Sequence, residues 1–523
     1  MLVGLSRKHA TPFSRRSIRE SSLRSTRWLA CAVLLAMRAI PAAAQYGPVD
    51  PFESSMRQLR SALDARSDGR HHIVLVGLRQ LQDPQLLPLF ECLLRAGHWS
   101  IRVDGVLGIA ELSPTKAIDP ALIEALPERT DRDNAIQAAL AIKLIGPKEA
   151  LEISQWDELD GRARAALIAE AMAQGAVPDR ALIDKLCASK TPEIAALGEV
   201  LLLSLGLRDA AEVQAAIDNI AAMNSRVRVS ALTEVSGAIV RFKLKNTGAF
   251  LRAALALPDL NAQTRARMIV ALLLVDPQEG MLAWRALVGG ERTQLALVRA
   301  AQLLLASGTR ASVEDWALLR NQDPLLESIA DAGALLSTGA LEPFYVKLLA
   351  TGHRSTLAAA SEGAAVLGAD AERALGIASL ALLVEENAAA SSLGDGVLRA
   401  IARLAELSPD ALAPALQKSE ANVPLKDLLL FALAEAGTPS AASVAHQARA
   451  GASAKGEALI RILDAQCTPT LSDADLLALS KIAGSSEPAV AAQAAWLWLR
   501  ANDRATECIS KLCSEIDSPT TTP

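Results

Sequence analysis

Apolar residues recur along this chain with the spacing of an α-helix. In the stretch that ends at Pro439 they fall three or four residues apart, at Leu425, Leu428, Leu429, Ala432, Leu433 and Ala436. Charged residues occupy the other side of the same stretch, at Lys426, Asp427 and Glu435. An apolar stripe on one side predicts an amphipathic helix that buries the stripe against another element.

Helix breaks follow one another at steps of about thirty residues, a repeat period that favours a solenoid or similar array. They are marked by Pro84, Pro114, Pro147, Pro178, Pro277, Gly308, Gly339, Gly368, Pro409, Pro439 and Pro469. Ser, Thr or Asp before several of the prolines can cap a new helix, and proline suits its first turn. Glycine allows the preceding helix to end. The period therefore predicts repeating units rather than one irregular domain.

Each unit reads as a helix, a turn and a second helix. Residues 179–205 and 473–499 show the pattern most clearly, with an aspartate opening the first helix and a proline at the turn. We expect the second helices to begin near residues 71, 101, 133, 161, 193, 226, 263, 292, 324, 354, 394, 424, 454 and 488. The steps from 226 to 263 and from 354 to 394 are long, which predicts insertions there.

Composition supports helices and an extended array. Hydrophobic residues make up 51% of the chain but aromatic residues only 3%, and alanine and leucine supply most of the apolar content. These two residues have a low free-energy cost in helices, whereas large β-sandwiches use β-branched and aromatic residues. A chain of 523 residues also exceeds one ordinary core. Stacked pairs can bury for each other the stripe that no pair buries alone.

The units resemble HEAT repeats, particularly the short type similar to phycobilisome-lyase repeats. The resemblance rests on Ile101-Arg102-Val103 with residues 107–112 after Asp83-Pro84, and on residues 227–232, each of which looks like a second helix of that family. Tetratricopeptide repeats fit less well because they need recurrent aromatic residues. The resemblance implies an all-α fold, a right-handed α-solenoid of about fourteen antiparallel helix-pair repeats, covering residues 71–513.

The N-terminal segment has the three-part pattern of a signal peptide. Seven basic residues between Arg7 and Arg27 precede an apolar run from Trp28 to Met37, and an A-x-A-like site predicts cleavage between Ala44 and Gln45. We therefore expect export by the Sec or the twin-arginine route, with a periplasmic or secreted mature chain. The Arg- and Ser-rich, acid-poor start also fits an organellar transit peptide. No later apolar run is long enough to span a membrane.

The same sequence patterns predict the boundaries of the segments along the chain. Residues 1–44 form the signal peptide, and residues 45–70 a linker with a partial first helix around Met56–Leu63. The HEAT-like array covers 71–513, and residues 514–523, which end in Pro-Thr-Thr-Thr-Pro, predict a disordered tail.

Charge and cysteine content narrow the function classes. Residues 1–44 contain eight basic residues and one acid, so residues 45–523 carry a net charge of −12. An acidic body opposes nucleic-acid binding, which depends on neutralised phosphates.

The five cysteines outside the signal peptide predict buried free thiols. Cys508 and Cys513 could form a disulfide only where a helix is frayed, since residues five apart do not share a helical face.

Candidate catalytic and metal sites are few. His98 and Cys92 could share zinc only with ligands from other repeats, and Ser113 fits S-x-x-K but reads better as a capping serine. Asp157, Glu158 and Asp160 beside Trp156 could act as acid and base, although a helix junction explains them better. We therefore predict no catalytic residue, no cofactor and no metal site.

The most suggestive surface residues are basic. Arg226 and Arg228 open one predicted helix, and Arg241, Lys243 and Lys245 follow it near a long repeat step. On an acidic body, these five residues could grip a partner's carboxylates, although a solvated face also explains them. We expect a non-catalytic scaffold that binds protein partners of unknown identity on the concave face of the solenoid. The alternative, implied by relatives that attach bilin pigments, is a lyase-like enzyme or a chaperone-like factor acting on a protein-bound cofactor.

Overall fold

Every regular element in the described part of the chain is helical. The computed structural model describes residues 50–65, 69–290, 293–321, 323–385, 395–419, 422–468, 470–485 and 487–518. These ranges hold twenty-nine α-helices, the 3-10 helices Pro84–Leu86 and Pro409–Leu412, and no strand. The all-α prediction is confirmed. The predicted signal peptide, with its Ala44–Gln45 cleavage site, lies outside the described residues.

Helices of two series alternate along the chain. The odd-numbered helices are α1 Pro51–Arg60, α3 Leu87–Leu93, α5 Pro120–Glu124, α7 Pro147–Ser154, α9 Arg180–Cys187, α11 Ala210–Ala222, α13 Gly248–Leu255, α15 Pro277–Gly290, α17 Val313–Ala317, α19 Leu341–Leu349, α21 Ala369–Glu385, α23 Ala413–Lys418, α25 Pro439–Gln447, α27 Asp473–Ile482 and α29 Ala505–Asp517.

The even-numbered helices correspond to the predicted second helices, and each begins within four residues of its predicted start. They are α2 Arg70–Gln80, α4 Trp99–Leu112, α6 Arg129–Ala141, α8 Gly161–Ala173, α10 Pro192–Ser204, α12 Ser225–Phe242, α14 Ala262–Val275, α16 Gln294–Ser307, α18 Pro324–Ser337, α20 Arg354–Leu367, α22 Asp395–Leu407, α24 Val423–Ala436, α26 Ala454–Cys467 and α28 Pro488–Ala501.

Local sequence explains where many of these helices begin and end. Asp160, Asp179 and Asp323 cap α8, α9 and α18 by accepting hydrogen bonds from backbone N–H groups of the first turn. Gly308 and Gly437 adopt the left-handed conformation at the ends of α16 and α24, which glycine does at little steric cost. The prolines and glycines of the thirty-residue period that lie in the described ranges therefore do mark helix boundaries, and Pro469 lies outside those ranges.

Apart from α18 and α20, successive even-numbered helices contact one another, and we call this set the even-helix row. Most odd-numbered helices pack on the even-numbered helix that follows, as α3 does on α4, α7 on α8, α9 on α10 and α27 on α28. The two long repeat steps predicted from the sequence contain the long helices α12 and α21. Helix packing between neighbouring pairs is thus the rule over most of the chain.

The repeat is irregular between α16 and α22. There α16 contacts α20 directly, while α18 packs mainly on α17 and α19. Gly363 of α20 lies against the carbonyl oxygen of Leu305 in α16, where a Cβ atom would overlap that oxygen. The close approach of these two helix backbones moves α18 out of the even-helix row.

The two ends of the described chain meet, and we call this contact the seam. Helix α28 packs on both α1 and α2, and α29 packs on α3. One hydrophobic core includes Met56 of α1, Leu75 of α2, Trp496 of α28 and Leu512 of α29, all buried. Since α2 also contacts α4, the contacts of the even-helix row return to their starting helix.

Polar groups and a disulfide reinforce the seam. The buried Trp496 donates its Nε1–H to Asp83 at 2.8 Å, and Arg500 donates to the same carboxylate at 3.0 Å. Ion pairs join Arg60 to Glu515 at 2.7 Å and Arg95 to Asp517 at 2.9 Å. A disulfide links α3 to α29. Residues far apart in sequence therefore fix the two ends together.

The cysteines correct part of the sequence-based expectation. Cys187, Cys467 and Cys508 are free thiols, as predicted, although only Cys508 is fully buried. Cys92 and Cys513 instead form a disulfide with Cα atoms 5.7 Å apart. The prediction that these two cysteines are free thiols was wrong, because the seam brings together residues separated by 421 positions.

Helix α29 also continues to Asp517, four residues into the predicted tail 514–523.

Within the described residues, none of the helices combines the length and the apolar character needed to cross a membrane.

Candidate functional site

The five basic residues singled out in the sequence do not form one patch. Arg226 and Arg228 lie in the first turn of α12, whereas Arg241 lies in its last turn and Lys243 and Lys245 follow it. A helix rises about 1.5 Å per residue, which separates Arg226 from Arg241 by roughly 22 Å along the axis. The two groups could contact one partner only if that partner spans the length of α12.

Arg228 has a packing contact of its own. Its guanidinium donates hydrogen bonds to the carbonyl oxygens of Ala221 at 2.7 Å, Met223 at 3.0 Å and Pro258 at 3.2 Å. Arg241 lies 5.0 Å from the centroid of the Phe242 ring and 3.5 Å from the carbonyl oxygen of Leu140. Lys243 and Lys245 are exposed. Partner binding by these residues stays a prediction, and Arg228 also joins α12 to its neighbours.

The contact made by Arg228 recurs at the fourth residue of other even-numbered helices. Arg102 of α4 donates to the carbonyl oxygen of Ala96 at 2.7 Å and pairs with Asp131. Arg164 of α8 donates to the carbonyl oxygens of Ser154 at 2.9 Å and Trp156 at 2.7 Å. Each of these arginines satisfies carbonyl groups at the end of the preceding helix, where backbone acceptors lack intrahelical donors.

The acidic residues beside Trp156 line a cleft of about 250 Å³, which we call the Trp156 cleft. It lies between the end of α5, the start of α6 and the connection from α7 to α8. Its lining residues are Glu124, Arg129, Arg132, Asp133, Ile136, Trp156, Asp157, Glu158 and Leu159. Asp160 caps α8, as the helix-junction interpretation expected. The sequence identified Trp156 and its acidic neighbours but missed the contribution of α6.

The charges of the Trp156 cleft are only loosely paired. Arg132 Nη2 lies 3.5 Å from Glu158 Oε2, and Arg129 Nε lies 3.9 Å from Asp133 Oδ2. The Nε atom of Arg132 is buried and has no hydrogen-bond partner within the described ranges. Burial raises the pKa of Asp133, and the nearby Asp160 carboxylate raises it further, while Arg129 and Arg132 act against both effects.

A buried polar network between α2 and α4 was not anticipated from the sequence. Asp104 accepts hydrogen bonds from His72 Nδ1 at 2.8 Å and Arg79 Nη1 at 3.0 Å. Arg79 also pairs with Glu111 through Nη2 at 2.7 Å. Asp104 is only 2% exposed and Arg79 7%. The only available signal was the presence of charged residues on the apolar side of both predicted helices.

A hydroxyl group and two imidazoles meet beside this network. Ser100 Oγ lies 2.7 Å from His71 Nε2 and 2.8 Å from His98 Nδ1. Burial lowers the pKa of His71, but Asp104 bonds His72 instead of orienting His71. Nδ1 of His71 is buried and has no partner in the part of the chain that the structure describes. The arrangement therefore lacks the third group that orients the base of a nucleophilic triad.

An apolar slot of about 40 Å³ opens at the seam, between α2, α24, α26 and α28. Its apolar lining includes Ile73, Phe431, Leu459 and Ile462. Polar residues at its edge include Glu435, which accepts from Gln80 at 3.5 Å, and Glu487, which pairs with Lys455 at 3.1 Å. The slot has room for the tip of one apolar side chain.

The remaining sequence candidates have structural contacts. Cys92 is in the disulfide, and no group of three or more potential metal ligands lies together among the described residues. Ser113 ends α4, and its hydroxyl donates to the carbonyl oxygen of Ala110 at 2.9 Å. Trp498 is partly buried and packs against two cores.

No known protein family, no curated protein and no solved structure matches this chain. The functional argument therefore depends on the geometry of the chain itself.

Proposed function

We propose that this chain is an exported, non-catalytic scaffold of HEAT-like helix pairs, arranged as an α-solenoid whose two ends meet at the seam, that binds partner proteins along the even-helix row. The observation that carries the proposal is the succession of even-numbered helices that contact one another along most of the chain. Such a row presents neighbouring helix faces to one extended or helical partner, which is how repeat arrays bind proteins.

The apolar slot at the seam supports the choice of surface. It is formed by four even-numbered helices, and it combines an apolar lining with Glu435 and Glu487 at the edge. An apolar side chain anchored in such a slot, next to a basic residue, would suit the chemistry of a peptide or helix. Some odd-numbered helices carry single exposed apolar residues, such as Leu477 of α27, which need no special explanation.

The disulfide and the N-terminal segment support export independently. Disulfides persist in oxidising compartments such as the bacterial periplasm and are rare in the cytosol. The basic and apolar segments before Ala44 fit a cleavable signal. We expect N-terminal sequencing of protein recovered from an exported fraction to begin at Gln45. A mature N-terminus at Met1 would contradict export by this signal.

Site-specific photo-crosslinking tests the partner surface. A benzophenone amino acid would replace Phe431 at the slot in one variant and the exposed Leu477 of α27 in a matched control. We expect a discrete crosslinked protein from position 431 and none from position 477 when both variants are illuminated in cells. Equal crosslinking from both positions, or crosslinking from 477 alone, would contradict binding along the even-helix row.

A further inference from the structure

The Trp156 cleft combines both signs of charge with apolar side chains. We propose that it binds a free α-amino acid with an apolar side chain, recognised as a zwitterion. This site is separate from the partner surface proposed above, and its argument does not depend on that proposal.

Arg132 supplies the contact for the carboxylate. At the equivalent fourth position of their helices, Arg102 and Arg164 use their guanidinium groups on carbonyl oxygens within hydrogen-bond distance. Arg132 instead approaches only the exposed Glu158, at 3.5 Å, and its buried Nε has no partner in the described ranges. A guanidinium binds a carboxylate through two parallel hydrogen bonds. A ligand carboxylate would replace the exposed Glu158 carboxylate on Arg132, to which Glu158 is held only by the 3.5 Å contact.

Asp133 supplies the contact for the ammonium group. Its carboxylate is half-buried, and its distance of 3.9 Å from Arg129 Nε exceeds that of a hydrogen bond. Burial and Asp160 raise its pKa, so a cation bound beside it would stabilise the charged form. Arg132 and Asp133 both line the Trp156 cleft, and the charge of Arg132 acts on the Asp133 carboxyl group by lowering its pKa. An α-amino acid carries its ammonium and carboxylate on one carbon, so a single ligand can present one charge to each of these side chains.

The apolar lining of the cleft accounts for the side chain of the ligand. Trp156 is partly exposed, and Ile136 and Leu159 lie beside it in the same lining. Aromatic and aliphatic walls with a few convergent polar groups are typical of small-molecule sites. A cleft of about 250 Å³ suits a ligand of this size rather than a folded partner.

Calorimetric titration of the mature chain with L-leucine tests the proposal directly. Two analogues each lack one charge: 4-methylpentanoate has no ammonium group, and 3-methylbutylamine has no carboxylate. We expect leucine to bind at least about tenfold more tightly than either analogue, since each lost charge pair costs a charge-assisted hydrogen bond. An absence of leucine binding at millimolar concentration, or equal binding of either analogue, would overturn the proposal.

Three variants locate the binding to the cleft. Arg132→Gln, Asp133→Asn and Trp156→Ala should each weaken leucine binding by about tenfold or more. Arg180→Gln is the matched control, because Arg180 is an exposed arginine in the first turn of α9 with a similar loose pair, 3.6 Å from Asp184. Circular dichroism establishes that each variant is folded. Leucine affinity that is unchanged in all three folded cleft variants would contradict the proposed site.

Discussion

At the scale of single residues, α2 and α4 share a buried network of charged side chains. Asp104 is almost fully buried, and its two oxygens are shared between His72 and Arg79. Burial alone would lower the pKa of Arg79, but Glu111 and Asp104 raise it above its ordinary value. A buried carboxylate left without its cation is strongly destabilising. The side chains of this network therefore depend on one another.

Removal of Arg79 should expose this dependence. We predict that Arg79→Gln lowers the free energy of unfolding by about 3 kcal/mol, because Asp104 and Glu111 lose their buried cation. Urea denaturation followed by circular dichroism measures the change. Arg180→Gln, which removes an exposed pair, should cost less than about 1 kcal/mol. Equal effects of the two substitutions would show that the network contributes little.

The pKa values of the adjacent His71 and His72 should be shifted in opposite directions from the ordinary value. The hydrogen bond to Asp104 raises the pKa of His72 against the effect of burial, whereas burial lowers the pKa of His71. The stability from His72 is therefore complete below pH 6.5, its unfolded value, and is lost as pH rises through its folded pKa. The stability from His71 is complete above pH 6.5 and is lost as pH falls through its folded pKa. NMR titration of the imidazole signals should place His72 above His71, and the reverse order would contradict these assignments.

At the scale of helices, the sequence predicts boundaries better than neighbours. Asp179 caps α9, as the sequence predicts for the aspartate that opens this helix, and Gly308 ends α16 at a predicted break. These signals are local, because a cap or a left-handed glycine acts within one turn. The contact of α16 with α20 depends on Gly363 meeting Leu305. The repeat period does not predict a contact between residues 58 positions apart. The displacement of α18 from the even-helix row was therefore not predicted.

Two glycines in helix interiors should respond oppositely to alanine. Gly363→Ala should lower stability by about 1–3 kcal/mol, because the added methyl group overlaps the carbonyl oxygen of Leu305 and forces α16 and α20 apart. Gly237→Ala in α12 should raise stability by roughly 0.5–1 kcal/mol, because its Cβ would meet no atom within 4 Å and alanine favours the helix. Thermal denaturation distinguishes the two. A stabilised Gly363→Ala variant would contradict the close helix contact.

Arg228 should contribute to stability whether or not a partner binds. We predict that Arg228→Gln lowers the free energy of unfolding by about 1.5–3 kcal/mol, since it removes charge-assisted hydrogen bonds to three carbonyl groups. Lys245→Gln, which changes an exposed residue, should have almost no effect. Urea denaturation of both variants provides the comparison. If Arg228→Gln is as stable as the wild type, the guanidinium does not join these helices.

At the scale of the whole molecule, the seam joins the first helices of the described chain to the last. The hydrophobic period predicts that neighbouring pairs cover each other, but it carries no information on whether the first pair meets the last. That contact depends on side chains such as Asp83, Trp496 and Arg500. No sequence motif distinguishes these residues, and they come together only in the folded chain. The same holds for Cys92 and Cys513. Only part of the cleft was predicted for a related reason, since its arginines come from α6 whereas Trp156 lies in the connection from α7 to α8.

The most direct test is the distance between the two ends in solution. Spin labels at Glu91 and Ser514, each next to a seam cysteine, would lie on Cα atoms no more than about 13 Å apart, because consecutive Cα atoms are 3.8 Å apart. Pulsed electron resonance should give one short distance distribution, below about 30 Å once label length is added. An open row of helices stacked at about 10 Å would separate the labels by on the order of 100 Å. Such a long distance would contradict the seam.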